Sequence, residues 1–341
     1  MKYSKKEVVE EVSTEGKELD LGISQLTGIG AAGKAKLESV GIKSVFDLCI
    51  RGAQEIKNTT GMPESNLNDA MNEAWEIVNK VGICRPKDMD IFELEAYKKS
   101  LPKIRCGCDE LDDKLLKGGL EMESLTEIYG EYGSGKTQYC YSVAIEAIGK
   151  HDFNVLWIDC EDTFDPSRLI DAARARGFGN TDDEIRQKFY PKIKYIHTPN
   201  TDRLVREIDN LSSNILDKKY KLIILDGAIG QFREEYRGRG ELSVRQNNLK
   251  RFMSLVRNIA FFFCCAVVMT NQVQSDPGLP PMMDPIKPIG GHIVGHTSSY
   301  RLYFKKAGSK RIARMVDSPK TPIAETLFEL NDKGVDNVSK K

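Results

Sequence analysis

The sequence predicts an α/β fold, a mostly parallel sheet with helices on both faces, preceded by a small all-α domain. From Leu101 onward, short apolar runs alternate with helical stretches, the pattern of a parallel sheet covered by helices. Residues 21–83 instead follow a helical pattern that glycines interrupt. The apolar runs after residue 299 are closely spaced with no helical stretch between them, which predicts an antiparallel extension at one edge of the sheet.

The N-terminal region predicts a helix-hairpin-helix unit. Gly28, Gly30 and Gly33 punctuate a turn, and Gly61 occupies the turn of a second unit of the same kind. Such short hairpins leave backbone N–H groups at a helix start free to bind a phosphate. The alternative is a small helical domain that only packs. The apolar residues predicted to share one face of the last helix are Leu67, Met71, Trp75 and Val78.

The remaining elements follow from the apolar runs and the helical stretches between them. Strands are predicted at residues 125–129, 154–159, 193–197, 221–226, 266–270, 300–304, 311–317 and 326–330. Helices are predicted at residues 137–149, 167–176, 201–217 and 243–260. Cys264 and Cys265 fall in a run that predicts a buried strand. The predicted division is a flexible tail at 1–20, a helix-hairpin-helix domain at 21–83, a linker at 84–100 and an α/β core at 101–341.

Composition narrows the class of protein. The chain has 50 basic and 50 acidic residues, so any nucleic-acid site must come from local patches. No uninterrupted apolar stretch reaches the roughly 18 residues of a membrane span. The N-terminus lacks the apolar run of a secretory signal, so the eight cysteines are expected to be reduced, intracellular thiols. Cys106 and Cys108 lack a second Cys/His pair at zinc spacing, so no zinc site is expected.

Residues 130–137, the phosphate loop, match the pattern G-x-x-x-x-G-K-[ST] between a predicted strand and a predicted helix. Glycines let the backbone of such a loop wrap a phosphate and point its N–H groups inward. Lys136 is expected to reach the β- and γ-phosphates of ATP, and Thr137 to bind Mg²⁺. The predicted nucleotide-binding residues here are Gly130, Glu131, Tyr132, Gly133, Ser134, Gly135, Lys136, Thr137 and Gln138.

Two strand ends supply the carboxylates that ATP hydrolysis needs. The run KLIILD ends on Asp226, and a carboxylate at the carboxyl end of a parallel strand faces the ligand crevice, where it can help to bind Mg²⁺. After the run NVLWI, the sequence presents Asp159, Glu161 and Asp162. Glu161 is the preferred water-activating base because it lies just past the strand end. Spacing alone does not separate it from the two aspartates.

Basic residues concentrate in two segments. Residues 231–257 hold seven Arg or Lys against three acids, a net excess of four that suits contacts with DNA phosphates. The alternative is a solvated basic helix face. Residues 301–314 hold six cations and no acid and are a second candidate patch. Residues 274–291 contain Gly and Pro with little apolar periodicity, as expected of a mobile binding loop.

In this order, these segments resemble the archaeal RadA and eukaryotic RecA-like recombinases from about residue 21 onward. The resemblance rests on the glycine hairpins, on the strand ending Asp159-Cys160-Glu161, and on the segments GEYGSGKTQ (130–138), FREEYRGRGELSVRQ (232–246), TNQV (270–273), KPIGGHIVGH (287–296) and MVDSP (315–319). It implies a RecA-type P-loop ATPase core and a DNA-dependent ATPase that uses ATP and Mg²⁺. Such a protein forms filaments on single-stranded DNA and catalyses pairing and strand exchange in DNA repair and recombination.

The resemblance also implies roles for individual residues. Lys136, Glu161 and Gln272 would be catalytic, with Gln272 sensing the γ-phosphate. The residues implied to contact ATP across a subunit boundary are His296, Asp317 and Pro319. The residues implied to contact DNA are Arg233, Arg239, Arg245, Gln272, Met282, Met283, Gly290 and Gly291. Those implied to dock one protomer on the next are Phe92 and Ala96.

The expected partners are single-stranded and double-stranded DNA, further copies of the chain in a helical filament or ring, and recombination mediators, with no membrane. The expected location is intracellular: the cytoplasm or nucleoid of an archaeon, or the nucleus of a eukaryote. One alternative function is a recombinase paralogue, a regulatory DNA-binding ATPase without strand exchange of its own. Another is a RecA-fold ATPase unrelated to DNA.

The chain departs from the family pattern in several places. Asp162 stands where members usually have glycine, and Gly227 where they favour serine. Phe92 and Ala96 are one position further apart than the docking motif normally places them. The loop at 273–291 lacks an aromatic residue, which leaves two methionines as the apolar candidates to insert between bases, Met282 and Met283.

Overall fold

A computed structural model describes residues 21–82, 84–86, 88–211, 219–235, 239–275 and 286–339. The chain divides into two compact units, Met1–Val78 and Asn79–Lys341. The flexible tail predicted at residues 1–20 lies outside the described residues.

Helices of 6 to 18 residues build the region from Ala31 to Val81. Ser44 begins the second of them with a capping box, because its hydroxyl accepts from the Asp47 N–H while the Asp47 carboxylate accepts from the Ser44 N–H. Gly61 ends the third at φ +66°, a left-handed conformation that favours glycine. The helices are α1 Ala31–Ser39, α2 Val45–Ile50, α3 Ala53–Thr60 and α4 Glu64–Val81.

The buried face of α4 agrees with the predicted one at its two ends and differs between them. Met71 and Trp75 are half-buried, and the neighbouring alanines face the core instead. Alanine lets the helix approach its neighbours closely while it still buries apolar surface. The buried residues of α4 are Leu67, Ala70, Ala74 and Val78.

Strands and helices alternate after residue 100, as predicted. The strands are β1 Lys103–Ile104, β2 Leu120–Glu121, β3 Ser124–Gly130, β4 Asn154–Asp159, β5 Ile193–His197, β6 Tyr220–Asp226, β7 Ala266–Asn271, β8 Val273–Ser275, β9 Ile286–Pro288, β10 Tyr300–Ala307, β11 Lys310–Asp317, β12 Ala324–Asn331 and β13 Gly334–Asp336. The helices are α5 Ile91–Ser100, α6 Lys136–His151, α7 Pro166–Ala175, α8 Asp182–Phe189, α9 Thr201–Asp209, α10 Ala228–Glu235, α11 Leu242–Phe262 and α12 Gly291–Thr297.

One sheet of nine strands forms the core, in the order β13-β12-β11-β10-β3-β7-β6-β4-β5. The neighbouring strands β10, β3, β7, β6, β4 and β5 pair in parallel. The strands β10, β11, β12 and β13 pair with one another in antiparallel. Helices flank this sheet, so the predicted α/β class and the antiparallel extension at one edge are confirmed. Small antiparallel pairs, β1–β2 and β8–β9, lie outside it.

The central strands are buried on both faces, which is why they read as continuous apolar runs. On one face, Trp157 packs against Tyr141 and Phe164, with ring centroids 4.9 Å away in both cases. Across the part of the chain that the structure describes, we find no helix long and apolar enough to cross a membrane.

Two segments differ from their predicted structure. The predicted linker at 84–100 is helical from Ile91 to Ser100, because Asp90 caps the N-terminus of α5 with hydrogen bonds from two backbone N–H groups. Cys264 and Cys265 lie in the turn between α11 and β7 rather than in a strand, and Cys264 has a φ of +50°.

The predicted helix at 201–217 is described as α9 up to Asp209, and residues 212–218 lie outside the described residues.

The sheet order brings four strand ends together. β3, β7, β6 and β4 are neighbours and run in parallel, so their carboxyl ends lie at the same edge of the sheet. The phosphate loop follows β3, Asp226 ends β6, and Glu161 follows β4 by two residues. This edge is where ligands bind in open α/β sheets.

Candidate functional site

The phosphate loop has the backbone that its glycines allow. Gly133 and Gly135 have φ values of +71° and +106°, in the left-handed region. At Gly130 the constraint is close approach, since a Cβ there would lie 2.1 Å from the carbonyl oxygen of Phe304. The loop therefore keeps a tight turn that opens directly into α6 at Lys136, whose N-terminal backbone N–H groups favour an anion.

Lys136 is half-buried and donates to the loop's own carbonyl oxygens, Gly130 O at 2.9 Å and Glu131 O at 3.1 Å. Burial lowers the pKa of this ammonium group, while the carboxylates of Glu161 and Asp226 act in the opposite direction. The ammonium group thus lies against the loop, next to the positions that phosphate oxygens would take.

Thr137 and Asp226 face one another where a metal ion would be held. The Thr137 hydroxyl lies 3.4 Å from Asp226 Oδ1, which also accepts from the Thr270 hydroxyl. Asp226 Oδ2 is buried and has no hydrogen-bond partner among the described residues. Burial raises the pKa of Asp226 to about 6, because a charge there is poorly solvated. An unpaired buried carboxylate oxygen beside a hydroxyl fits Mg²⁺, which takes few protein ligands and completes its shell with phosphate and water.

The structure separates the three acids after β4. Asp159 is fully buried and accepts hydrogen bonds from the backbone N–H groups of Glu161, Thr163 and Phe164, so its carboxylate shapes the turn. Asp162 points outward, with a side chain 80% exposed and 4.0 Å from His197 Nδ1. Glu161 is the acid that faces the neighbouring strand end, and this favours it as the base.

The Glu161 side chain is positioned by a hydrogen bond and by the space that a glycine leaves beside it. Gln272 donates from Nε2 to Glu161 Oε1 at 2.8 Å. Gly227 has a φ of +81°, and a Cβ on it would lie 2.5 Å from Glu161 Cγ. Asp162, where relatives usually have glycine, has a φ of +54°, a left-handed conformation that aspartate tolerates better than most residues. Of the two departures from the pattern, Gly227 therefore lies against the Glu161 side chain, and Asp162 follows Glu161 in the turn.

Four of the predicted DNA-contacting residues line a cavity of about 520 Å³. Arg233 of α10 and Arg245 of α11 line it with Gly290 and Gly291, and Phe232 contributes to its apolar wall. Gln272 and Arg233 line a second cavity of about 370 Å³, so Gln272 lies between Glu161 and this region. Arg239 lies in a 3₁₀ turn before α11. The predicted contacts Met282 and Met283 lie outside the described residues.

The residues implied to reach ATP across a boundary do not join the Thr137–Asp226 pair. His296 and Asp317 line a separate cavity of about 380 Å³ together with Arg301, and both are exposed. Pro319 is exposed on the segment after β11. Gln138, on α6, accepts from Arg168 Nε at 2.8 Å.

Phe92 and Ala96 lie on one face of α5 in spite of their changed spacing. Residues four apart are neighbours on a helix, and both side chains are exposed, Phe92 by 79%. Ile91 beside them is 71% exposed. The helix therefore presents an apolar face at the position predicted for protomer docking.

The turn that precedes α1 is held by a carboxylate from α4. The backbone N–H groups of Thr27 and Gly28 donate to the Glu73 carboxylate at 2.7 and 3.0 Å, and the Thr27 hydroxyl donates to it as well. Burial alone would raise the pKa of Glu73, but these hydrogen bonds outweigh it and hold that pKa below its ordinary value. The carboxylate of Glu73 thus joins α4 to the turn that leads into α1 at Ala31.

Sequence reasoning missed the polar residues inside the central strands. Thr270 donates to Asp226, and Asn271 and Glu127 are buried beside the loop that follows β7. Each sits in a strand whose residues are all buried. The signal was the polar residue itself, because burying a polar side chain is costly unless it forms a hydrogen bond.

The chain is similar to known proteins over most of its length. The family model described as Rad51 matches residues 97–338. The chain is 37% identical over 319 residues to the DNA repair and recombination protein RadA of Cenarchaeum symbiosum, an alignment that covers 92% of this chain and 78% of that protein. It is 33% identical over 322 residues to the protein of the same name from Aeropyrum pernix, covering 92% of this chain and 96% of that one.

Proposed function

Because this chain belongs to the Rad51 family, we propose that it is an ATP-dependent DNA recombinase that assembles on single-stranded DNA and catalyses strand exchange with a homologous duplex. Relatives named DNA repair and recombination protein RadA support the proposal. The observation that carries it is the Gln272–Glu161 hydrogen bond. This bond joins the candidate water-activating acid to a residue that lines the 370 Å³ cavity together with Arg233.

The nucleotide site would hold ATP with Mg²⁺ through the phosphate loop. Bound ATP supplies the γ-phosphoryl group, and Mg²⁺ neutralises charge on its oxygens. Lys136 would exchange the loop carbonyls for the β- and γ-phosphates, which are stronger acceptors for an ammonium group. Thr137 and the unpaired oxygen of Asp226 would hold the metal ion, which offsets the cost of a buried carboxylate.

Glu161 would accept a proton from the attacking water. It is exposed, its backbone position is set by the buried Asp159, and Gly227 leaves room for its side chain. Gln272 would link the acid to the loop, since its side-chain amide donates to Glu161 and its backbone carbonyl oxygen accepts from the N–H of Ile289. A shift of the Gln272 side chain toward phosphate would therefore free the acid, and a shift of its backbone would move the loop end.

The DNA face is assigned to Arg233, Arg239 and Arg245 with the glycine pair at 290–291. Arginines position a nucleic acid through its phosphates without reading sequence, which suits a protein that leaves base recognition to pairing between strands. The two glycines allow a phosphate backbone to approach the start of α12 closely.

Assembly would proceed through Phe92 and Ala96 of α5, docked on a second copy of the chain. His296, Asp317 and Pro319 would then face the nucleotide of a neighbouring protomer. This reading accounts for their exposure and for a cavity that lies apart from the chain's own phosphate loop. A head-to-tail contact that does not close produces a filament.

An oligonucleotide strand-exchange assay with ATP turnover tests the proposal. The protein should hydrolyse ATP faster with single-stranded DNA and exchange strands, Lys136→Ala should do neither, and Lys150→Ala at the other end of α6 should behave as wild type. A protein that fails to hold single-stranded DNA more tightly with ATP contradicts the proposal. DNA-stimulated hydrolysis with no exchange would instead identify the regulatory paralogue.

A further inference from the structure

A carboxylate is buried in the middle of the sheet, away from the phosphate loop. Glu127 of β3 is fully buried, between β7 and β10. It accepts from Asn271 Nδ2 at 2.7 Å and from Arg301 Nε at 2.7 Å, through different oxygens. Since a buried charge is costly unless it is paired and hydrogen-bonded, this arrangement requires all three residues together.

Asn271 extends the network to both ends of the loop at 273–291, the DNA loop. Its Nδ2 also donates to the carbonyl oxygen of Ile289 at 2.8 Å. The Ile289 N–H in turn donates to the carbonyl oxygen of Gln272 at 3.1 Å, next to the paired strands β8 and β9. The buried side chain of Asn271, the residue before Gln272, therefore ties the start of the loop to its end at Ile289.

Arg301 extends the network to α12. The Cβ position of Gly295 lies 3.0 Å from Arg301 Nη1, so the helix packs directly on the guanidinium group. The same group lies 5.6 Å from the centre of the Tyr129 ring, and the Arg301 side chain is only 16% exposed. His292 and His296 project from this helix, and they line the cavity that Arg301 shares with Asp317.

We propose that Glu127 is a positioning residue, which fixes Gln272, the loop return at Ile289 and α12 relative to the strand that ends in the phosphate loop. This inference rests on the proposed function. The Glu127 carboxylate contacts none of the side chains proposed above to bind ATP or DNA. It holds their supports in one arrangement, so that a displacement at the DNA loop reaches Gln272 and α12 as a single movement. Without it, ATP would still bind, but DNA would no longer set the rate of its hydrolysis.

The test compares DNA stimulation of ATP turnover in Glu127→Gln with that in the wild type. A glutamine offers one acceptor and one donor to two donors, so either Asn271 or Arg301 loses its partner. We expect the stimulation factor to fall about fivefold or more, the scale of typical coupling between sites, with KM for ATP and the DNA-independent rate unchanged. Glu146→Gln is the control, because Glu146 forms a largely buried pair with Arg176 at 2.9 Å in another part of the core. It should lose thermal stability but keep wild-type stimulation.

A second variant guards against loss of folding. Asn271→Ser keeps the Glu127–Arg301 pair but removes the hydrogen bond to Ile289, and it should lose stimulation as well. Wild-type stimulation in a folded Glu127→Gln or Asn271→Ser protein overturns the inference. Equal loss in Glu146→Gln also overturns it, because the effect is then one of stability alone. If the wild type itself shows no stimulation by DNA, the proposed function fails and the inference falls with it.

Discussion

The amide of Gln272 donates to the carboxylate of Glu161 over 2.8 Å, from the end of one central strand to the loop after another. β7 and β4 are separated in the sheet by β6, so this bond crosses the strand that ends in Asp226. It therefore connects the candidate base to the segment that follows β7, which lines the cavity beside Arg233.

Replacing Gln272 by alanine should uncouple DNA from hydrolysis. The Glu161 carboxylate would keep its place over Gly227 but lose its link to the loop. We expect DNA-stimulated turnover to fall by about tenfold, within the range of typical coupling between two sites, while affinity for nucleotide stays at the wild-type level. Steady-state turnover with and without single-stranded DNA, together with nucleotide titration, checks this. Full stimulation in the variant would remove Gln272 from the pathway.

Gly227→Ser introduces the residue that the family favours at a position where this chain has no room for it. The serine Cβ would meet Glu161 Cγ at 2.5 Å, in addition to the left-handed strain of about 1–2 kcal/mol. Gly41 has a similar φ of +79° and nothing within 4 Å of its Cβ position, so Gly41→Ser isolates the strain. Both variants should melt at lower temperature, but only Gly227→Ser should lose ATP turnover. Equal turnover in the two would contradict the clash.

Arg245→Ala should weaken binding of single-stranded DNA and flatten its salt dependence. One lost phosphate contact lowers the slope of log K against log salt by about 0.7 on a single strand. Lys250 is exposed on the same helix and does not line the cavity, so Lys250→Ala is the matched control and should keep the wild-type slope. Titrations at several salt concentrations measure both. Identical slopes for all three proteins would take Arg245 off the DNA face.

Glu73 should make the stability of the N-terminal unit depend on acid pH. Its folded pKa lies below the ordinary value of 4.5, so its contribution is complete above that pH and is lost as pH falls through the lowered folded pKa. Glu73→Gln should flatten this dependence, and the amides of Thr27 and Gly28 should then exchange hydrogen faster. Hydrogen exchange at several pH values resolves the effect locally. Protection that does not change in the variant would show that the carboxylate is not what holds the hairpin.

Phe92→Glu should abolish self-assembly and leave the fold intact. The side chain is 79% exposed, so its loss should change the free energy of unfolding by less than about 0.5 kcal/mol. Light scattering or electron microscopy with ATP, Mg²⁺ and single-stranded DNA reports assembly. Tyr190→Glu, at another exposed aromatic residue, is the control. Filaments of normal length in Phe92→Glu would place the docking surface elsewhere.

The α/β class, the strand bounds near β4 and β5 and the phosphate loop could all be predicted from local patterns. Apolar periodicity is set by burial on each face, and the glycine spacing of residues 130–137 is set by what a phosphate requires of a backbone. The helix at Ile91–Ser100 was missed because a proline and mixed charges obscured its short pattern, although Asp90 and Glu93 form a capping box that the sequence does contain.

The sequence by itself determined the sheet-and-helix architecture, the loop for a triphosphate and the set of acids that could serve it, because these depend on residues close together in the chain. Only the tertiary structure decided which acid faces Gln272, that Gly227 leaves room for Glu161, and that Glu73 and Glu127 bind backbone and side-chain donors far away in sequence. Those contacts are made between residues 45 to 174 positions apart, and no local pattern records which buried polar groups will meet.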